Sequence, residues 1–262
     1  MPVVLTSPEV IRRFAHVLRI IQLSDCHIAR DPGADYRGQN ADRNLRSLLP
    51  AIRQWQPDAL LLTGDISEDA SAASYGRVAA MMNSLGAPVM AVPGNHDDPE
   101  VMARYFPQGP WQGPFKFEKK GWQLLLLDST RPGKVSGWLS KENLDRADSL
   151  LRRSEVAHAL IALHHQPVPV QSPWIDRYAL NFRESFFKVL DRHPAIRAVV
   201  WGHIHQDFRL ERNGALLLGA PSTVANSLPN HEKFTPDLAG PACRWLELYS
   251  DGKLETGLIF GR

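Results

Sequence analysis

Five short clusters of Asp, Asn and His stand out in this sequence, because each one directly follows a run of apolar residues. Imidazole nitrogens together with carboxylate and amide oxygens form a donor set that suits divalent first-row metals. The pattern therefore predicts chemistry at a metal centre. The five clusters are Ser24-Asp25-Cys26-His27, Thr63-Gly64-Asp65-Ile66-Ser67-Glu68, Pro93-Gly94-Asn95-His96-Asp97-Asp98, His164-His165 and Gly202-His203-Ile204-His205.

The spacing inside two of these clusters supports a shared role for their members. Asp25 and His27 are two residues apart, so in an extended segment their side chains share one face. The same holds for His203 and His205. Alternation would then point Cys26 away from that face, which favours a buried structural thiol.

The remaining clusters supply donors that complete such a centre. A single carboxylate such as Asp65 can bridge two cations with its two oxygens, and Asn95 can offer a neutral oxygen without adding charge. Glycines let the backbone turn tightly at the end of a strand and leave room for a ligand there. Such glycines are Gly64, Gly94 and Gly202.

The segments that must position these clusters alternate between strand-like apolar runs and helical periodicity, which favours an α/β layered fold. In open α/β sheets, ligands bind beyond the carboxyl ends of the strands, so five such ends would bring their donors to one place. The predicted strands that precede the clusters are Val17–Leu23, Ala59–Leu62, Val89–Val92, Ala159–Leu163 and Ile196–Val200. The predicted helices are Asn40–Trp55, Tyr75–Leu85, Ser140–Arg152 and Asn181–Leu190.

The pattern changes after residue 206, where antiparallel hairpins replace strand-helix units. Asn213-Gly214 and Asp251-Gly252 are favoured tight turns between apolar runs. No linker separates the two parts. We therefore expect one domain over residues 1–262, with a strand-helix part at 17–206 that carries the metal clusters and antiparallel strands at 207–262. Two packed sheets flanked by helices would accommodate this order.

The composition indicates which classes of partner and which cellular compartment to expect. A net charge of +2, with no block of like charges, argues against a nucleic-acid polymer as partner. The longest apolar runs are strand-sized, so no membrane span is expected. Met1 to Ile11 lacks the pattern of a signal peptide. Two cysteines, Cys26 and Cys243, form no disulfide framework, which favours a reducing cytoplasm.

Each cluster also has a simpler structural interpretation. A lone Asp at a strand end is more often a turn or cap residue than a ligand. Asn95 could be a turn residue after Gly94, and His96 a loop histidine. Taken alone, Asp-x-His or His-x-His is a weak signal. All five clusters in order, each at a strand end, are a strong one.

Several neighbours of the clusters have roles that the residues alone leave open. One of His164 and His165 would ligate, while the other packs or hydrogen-bonds. Glu68 and Asp97 are expected to orient ligands, although Asp97 could instead cap the helix that starts near Pro99. The histidines outside the clusters are interpreted as structural or surface residues, with pocket lining as the alternative for the last of them: His16, His158, His193 and His231.

Together these motifs resemble the calcineurin-like metallophosphoesterase superfamily over residues 17 to about 260. Within it, the chain looks most like the bacterial class III 3′,5′-cyclic-AMP phosphodiesterases. Cys26 and Gln166 differ from what family members often carry, and neither is a ligand position. Three stretches support the closer resemblance: Leu125-Leu126-Leu127-Asp128-Ser129, Gly202-His203-Ile204-His205-Gln206 and Pro221-Ser222-Thr223.

The resemblance implies a four-layer α-β-β-α sandwich of two mixed sheets and a dinuclear site with iron, manganese or both. It assigns one metal to Asp25, His27, Asp65 and His205, and the second to Asp65, Asn95, His164 and His203. A metal-bound hydroxide would attack phosphorus, since two cations lower the pKa of bound water towards about 7 and clamp the reacting oxygens. The metals and His96 would stabilise the developing charge, and His96, or water held by it, would protonate the departing 3′-oxygen. The implied catalytic residues are Asp65, Asn95 and His96, and the implied substrate-binding residues are His27, Asp65, Asn95, His96 and His205.

The implied activity is hydrolysis of 3′,5′-cyclic AMP to 5′-AMP, with this small nucleotide as the expected partner. One alternative is a phosphodiesterase for another substrate, such as a glycerophosphodiester or a 2′,3′-cyclic nucleotide. The loops after Ser67 and after Ser222 would decide between these substrates. Another alternative is a metal-binding interaction scaffold, which would be expected to have lost ligands that are all present here. The oligomeric state is left open, with a homodimer as one alternative.

Overall fold

The computed structural model describes residues 17–261. The Met1 to Ile11 segment and His16 lie outside the described residues. The strands are β1 (Val17–Leu23), β2 (Asp35–Tyr36), β3 (Gln39–Asn40), β4 (Ala59–Thr63), β5 (Val89–Val92), β6 (Phe115–Lys119), β7 (Trp122–Leu126), β8 (His158–Ala162), β9 (Ile196–Trp201), β10 (Phe208–Arg212), β11 (Ala215–Gly219), β12 (Asn226–Ser227), β13 (Pro236–Asp237), β14 (Ala242–Tyr249) and β15 (Leu254–Phe260). The helices are α1 (Ala41–Trp55), α2 (Ala72–Asn83), α3 (Pro99–Met102), α4 (Lys141–Arg152), α5 (Pro173–Asp176) and α6 (Arg183–Leu190).

Two mixed sheets form the centre of the fold. The first has the order β15-β14-β1-β4-β5, in which β1, β4 and β5 are parallel and β14 runs antiparallel to β1. The second has the order β10-β11-β9-β8-β7-β6, in which β7, β8, β9 and β11 are parallel. Strands β6 and β10 are antiparallel edges of the second sheet.

Three buried clusters hold these layers together. Between the sheets pack the side chains that point inward from both, including Ile20, Leu61 and Leu160. Alternate residues of the first sheet, such as Ile21, point outward and pack on α1 and α2. Ile161 does the same in the second sheet, towards α4 and α6. The predicted four-layer α-β-β-α sandwich is therefore confirmed.

Local capping explains where two helices begin and end. The side chain of Asn40 accepts a hydrogen bond from the backbone N–H of Arg43 at 2.8 Å, so α1 starts one residue after the predicted Asn40. Helix α2 starts at Ala72, one turn before the predicted Tyr75, because Ser71 caps it through the N–H of Ser74.

The C-terminal part differs from the expectation of antiparallel strands alone. β10 and β11 do form a hairpin, but β11 also runs parallel to β9 and so extends the second sheet. β14 and β15 instead join the first sheet beside β1. Since the residues after 206 complete both sheets, we propose that the chain forms one domain. Among residues 17–261, the helices are too short or too polar to cross a membrane.

Candidate metal centre

The five sequence clusters meet at the carboxyl ends of β1, β4, β5, β8 and β9. Contacts between the two sheets hold them there. Both carboxylate oxygens of Asp25 lie 3.0 Å from the backbone nitrogen of His203 and accept its hydrogen. The Nδ1 atom of His164 lies 2.7 Å from the carbonyl oxygen of Thr63. The predicted convergence is therefore seen in the structure.

The backbone at these positions differs from the extended segments assumed from the sequence. Five of the predicted ligands have left-handed φ angles, which non-glycine residues rarely adopt. The first strand ends at Leu23, and the N–H of Asp25 then bonds the carbonyl of Gly64 at 2.9 Å, so a turn replaces the pleat. Such strain is characteristic of functional sites. The angles are 52° at Asp25, 44° at His27, 48° at Asp65, 67° at His203 and 50° at His205.

One buried group of donors joins Asp25, His27, Asp65 and His205. The Nε2 atoms of His27 and His205 lie 3.2 Å apart. His205 Nε2 is 3.4 Å from a carboxylate oxygen of Asp25, and His27 Nε2 is 3.8 Å from one of Asp65. One ligand atom each of Asp25, His27 and His205 lies within 4.8 Å of the others, which suits a single metal ion.

A second group adjoins the first through the same Asp65 carboxylate. His164 Nε2 lies 3.5 Å from Asp65 Oδ2 and 3.1 Å from His203 Nδ1. Asn95 Oδ1 is buried and has no hydrogen-bond partner within residues 17–261, although buried polar oxygens are normally satisfied. A cation beside Asn95 would supply the missing partner, so the residues fit a dinuclear centre.

Hydrogen bonds at the outer nitrogen orient three of the histidines. His164 Nδ1 and His205 Nδ1 face the carbonyl oxygens of Thr63 and Ala225, at 2.7 and 2.8 Å. A carbonyl oxygen only accepts, so Nδ1 carries a proton and Nε2 is the nitrogen that faces the cluster. His27 uses Nδ1 in the same way towards Glu68, which is described below. This arrangement is typical of metal-ligating histidines.

The charges of Asp65 and His164 also favour binding of a cation at this site. Burial opposes ionisation of Asp65, yet the imidazoles of His164 and His27 hold the pKa of its carboxyl well below the usual value. Burial would likewise lower the pKa of His164, but the Asp65 carboxylate outweighs it and raises the value to about 9. A buried carboxylate thus holds a proton on His164 that a cation can replace.

His165 is adjacent in sequence but uses both ring nitrogens elsewhere. Its Nδ1 lies 2.8 Å from Ser129 Oγ, and its Nε2 lies 2.9 Å from the carbonyl oxygen of Val135. One nitrogen is within 4.8 Å of donors of His164 and His203, so proximity alone would not distinguish the two neighbours. Burial and the adjacent His164 lower its pKa to about 3. These contacts favour His164 as the ligand.

Glu68 connects two of the site histidines. One of its oxygens lies 2.6 Å from His27 Nδ1 and 3.2 Å from His96 Nδ1. His96 itself is exposed, and its backbone N–H donates to Asp65 Oδ1 at 2.9 Å. Glu68 thus contacts the predicted ligand His27, as expected of an orienting residue, and His96 stands at the solvent rim of the cluster.

Asp97 links the loop after β4 to the loop after β5 by hydrogen bonds. Its carboxylate accepts backbone hydrogens from Gly94, Ile66 and Ser67, at 2.9 to 3.2 Å. The alternative role as a helix cap is wrong, because Asp98 caps α3 through the N–H groups of Glu100 and Val101.

Among residues 17–261, Cys26 and the histidines outside the sequence clusters are absent from the groups of possible metal donors. Cys26 is buried in the core between the first sheet and its helices. His158 lies 3.2 Å from the carbonyl oxygen of Ser250, and His193 lies 2.9 Å from an Asp148 oxygen. His231 is exposed to solvent.

Tyr36 is the site neighbour that sequence reasoning missed. Its ring stacks on His27 with centroids 4.1 Å apart and planes at 13°, and its hydroxyl lies 3.1 Å from His27 Nε2. Tyr36 belongs to a two-stranded hairpin, β2–β3, between the first cluster and α1. A lone tyrosine in a polar loop carries no motif, and only the folded chain brings it to the site.

The glycine of the last cluster gives a test of how tightly the site is packed. A Cβ on Gly202 would collide with Ser24 Oγ and lie 2.7 Å from Asp25 Oδ2. We expect Gly202→Ala to lower the free energy of unfolding by about 1–3 kcal/mol and to reduce bound metal. Thermal unfolding and metal analysis measure these effects.

Gly76→Ala is the matched control, since its Cβ would be 3.4 Å from Tyr105 in the interior of α2, where alanine favours the helix. Equal behaviour of the two variants would contradict the close packing at Gly202.

Comparison with known proteins agrees with this geometry. The family model of the calcineurin-like phosphoesterases matches residues 18–207. The chain is 36% identical to the 3′,5′-cyclic adenosine monophosphate phosphodiesterase CpdA of Pseudomonas aeruginosa, over 91% of this chain and 88% of that protein. It is 34% identical to the 3′,5′-cyclic-nucleotide phosphodiesterase alr5338 of Nostoc sp., over 91% of each.

The fold is also similar to solved structures. A dimetal phosphatase from Danio rerio aligns with a TM-score of 0.70 at 16% identity, covering 94% of this chain and all of that one. This likeness concerns the fold alone. The sequence match over most of the chain and the clustered donors lead to one conclusion. The chain belongs to the calcineurin-like phosphoesterase family.

Proposed function

We propose that this protein hydrolyses 3′,5′-cyclic AMP to 5′-AMP at a dinuclear metal site. The observation that carries the proposal is the buried cluster of carboxylate, amide and imidazole donors with an exposed histidine, His96, at its rim. The similarity to cyclic-nucleotide phosphodiesterases over about nine tenths of the chain supports the choice of substrate. In the reaction a water oxygen bonds to phosphorus, and the bond from phosphorus to the 3′-oxygen breaks.

Seven residues would hold the two cations. When bound, the cations would lower the pKa of water and bind phosphate oxygens. We propose Asp25, His27, Asp65 and His205 as ligands of one, and Asp65, Asn95, His164 and His203 as ligands of the other. Fixed protonation at Nδ1 lets Nε2 of His27, His164 and His205 point at the cluster without rearrangement. Asp65 stands between the groups and belongs to both.

His96 is the residue that we propose acts on the leaving group. It is exposed, so a substrate can reach it, and Glu68 lies 3.2 Å from its Nδ1. That contact orients the ring: in the imidazolium form Nδ1–H would donate to Glu68, while Nε2–H faces the substrate. Nε2 would donate its proton to the departing 3′-oxygen and stabilise the charge that develops there. His27, Asp65, Asn95 and His205 would line the phosphate-binding side.

The donor types support a proposal for the metals, and the two cysteines support one for the compartment. Imidazole with carboxylate and amide oxygens, and no thiolate, suits iron or manganese, and we propose one or both. Burial raises the pKa of the Cys26 thiol to about 12 and raises that of the Cys243 thiol even further, so both are inert thiols rather than ligands. Two buried free thiols fit a reducing cytoplasm, which we propose as the location.

A substrate panel tests the proposal. Purified protein loaded with manganese would be given 3′,5′-cyclic AMP, 2′,3′-cyclic AMP and glycerophosphocholine at equal concentration, and products separated by chromatography. We expect 5′-AMP to form fastest, with no 3′-AMP from the 3′,5′-cyclic substrate. If either of the other two substrates is turned over faster, that compound and not cyclic AMP is the preferred substrate. No turnover of any would favour the scaffold alternative.

A further inference from the structure

Three aromatic rings surround the imidazole of His205, and the chemistry at phosphorus does not use them. Their centroids lie 6.2 Å (Tyr36), 6.4 Å (Trp174) and 6.2 Å (Phe234) from that of His205. They come from three separate segments: β2, α5 and the loop between β12 and β13. We refer to Tyr36, Trp174 and Phe234 as the aromatic wall. Tyr36 also stacks on His27, so the aromatic wall adjoins the donor group of Asp25, His27 and His205.

The aromatic wall carries a cation at its solvent edge. The guanidinium of Arg37 lies over the Phe234 ring at 4.1 Å and over the Tyr36 ring at 5.5 Å. Arg37 itself is exposed, while Tyr36, Trp174 and Phe234 are half-buried. A cavity of about 190 Å³ opens beside Arg37 and Phe234. Flat rings and a planar guanidinium are the surfaces on which a nucleobase stacks.

A second cavity beside the site, which we call the Asn95 cavity, offers different chemistry. It has a volume of about 590 Å³ and adjoins Asn95. It is lined by acidic, glycine and proline residues with Arg131, and its lining contains no aromatic ring among the described residues. Its acidic side chains include Asp98 and Glu100, which would repel a phosphate. Volume alone would favour this cavity, but a base gains affinity from flat contact surfaces rather than from open space.

We infer that the aromatic wall is the subsite for the base of the cyclic nucleotide, an inference that rests on the proposed function. The cyclic phosphate meets the donor cluster, the base stacks against the aromatic wall beside His205, and the 3′-oxygen faces His96. Stacking tolerates every base because each has a flat π-face. The aromatic wall therefore provides affinity for cyclic GMP as well as for cyclic AMP.

The test compares Phe234→Ala with the unchanged protein on two substrates. One is cyclic AMP, and the other is methyl riboside 3′,5′-cyclic phosphate, which keeps the reacting ring and lacks the base. We expect KM for cyclic AMP to rise about tenfold, with kcat changed little, since one base stack corresponds to about tenfold in affinity. KM for the base-free substrate should stay the same. Removal of the Phe234 side chain and removal of the base thus form a double-mutant cycle, which measures the interaction between the two.

Two further variants decide between the aromatic wall and the Asn95 cavity. Arg37→Ala removes an exposed side chain, so it remains informative if Phe234→Ala folds poorly, and it should raise KM for cyclic AMP by about threefold. Arg131→Ala, in the Asn95 cavity, should leave KM unchanged. Phe260→Ala is the control for loss of a partly exposed phenylalanine, since Phe260 lies on the edge strand β15 and does not line the cavity beside Phe234.

The outcomes separate this inference from the proposed function. If the unchanged protein does not hydrolyse cyclic AMP, the proposed function fails. If it does, and Phe234→Ala raises KM equally for both substrates, the aromatic wall only supports His205 and the inference is overturned. A rise in KM for Arg131→Ala without one for Phe234→Ala would assign the base to the Asn95 cavity. Selective loss on cyclic AMP in Phe234→Ala and Arg37→Ala supports the inference.

Discussion

Asp65→Asn is expected to lose at least one metal ion per chain and to reduce kcat by about 10³-fold or more, equivalent to about 4 kcal/mol of transition-state stabilisation. Asp65 is the carboxylate that lies near donors of both groups, 3.8 Å from His27 Nε2 and 3.5 Å from His164 Nε2. The amide keeps nearly the same shape and can still accept the N–H of His96 through Oδ1. The lower metal content and kcat would then result from the lost carboxylate charge and not from altered packing.

The measurement is metal content per chain together with kcat for cyclic AMP, both at saturating manganese. Asp145→Asn is the matched control, because that carboxylate pairs with Lys141 on the exposed face of α4 and lies outside the donor cluster. Its activity and metal content should equal those of the unchanged protein. Full metal occupancy in Asp65→Asn would show that this residue does not bridge the two groups.

The donor positions could be predicted from the sequence because each depends on a local pattern. An apolar run followed by Asp25-Cys26-His27 or by Gly202-His203 places polar side chains at a strand end, whichever strands become neighbours. The parallel order then brings the ends together. Local capping residues also set helix limits: Ser71 caps α2, so this helix starts one turn before the predicted Tyr75.

Features set by distant contacts could not be predicted in this way. The left-handed backbone at Asp25 depends on the bond from its N–H to Gly64, 39 residues away in the chain. The sequence predicts only the hairpin that contains β11, and not the parallel pairing of β11 with β9. Tyr36 and Phe234 meet His205 from loops without a motif. The sequence thus identifies the residues that we propose as metal donors, while the surroundings that would bind substrate require the folded chain.

His96→Ala is the second large effect that we expect: kcat for cyclic AMP should fall by about 10²–10⁴-fold while metal content is retained. His96 is exposed and bonds Asp65 through its backbone N–H, which the alanine variant keeps. A ring nitrogen of His96 does lie within 4.8 Å of donors of His27 and Asp65, so metal analysis is essential. Loss of metal in the variant would make His96 a ligand rather than a proton donor.

Two substrates with different leaving groups can show whether His96 donates a proton or affects the site in another way. The 3′-oxygen of cyclic AMP needs a proton as it departs, whereas p-nitrophenolate leaves without one. If His96 donates that proton, His96→Ala should lose far less activity on bis(p-nitrophenyl) phosphate than on cyclic AMP. Equal losses on both substrates would mean that His96 only stabilises charge or binds phosphate. His231→Ala, which removes an exposed histidine outside the donor cluster, should leave both activities unchanged. Because the two substrates share the attack step and differ in the departing oxygen, their ratio reports on the proton at His96 Nε2 and not on the cations.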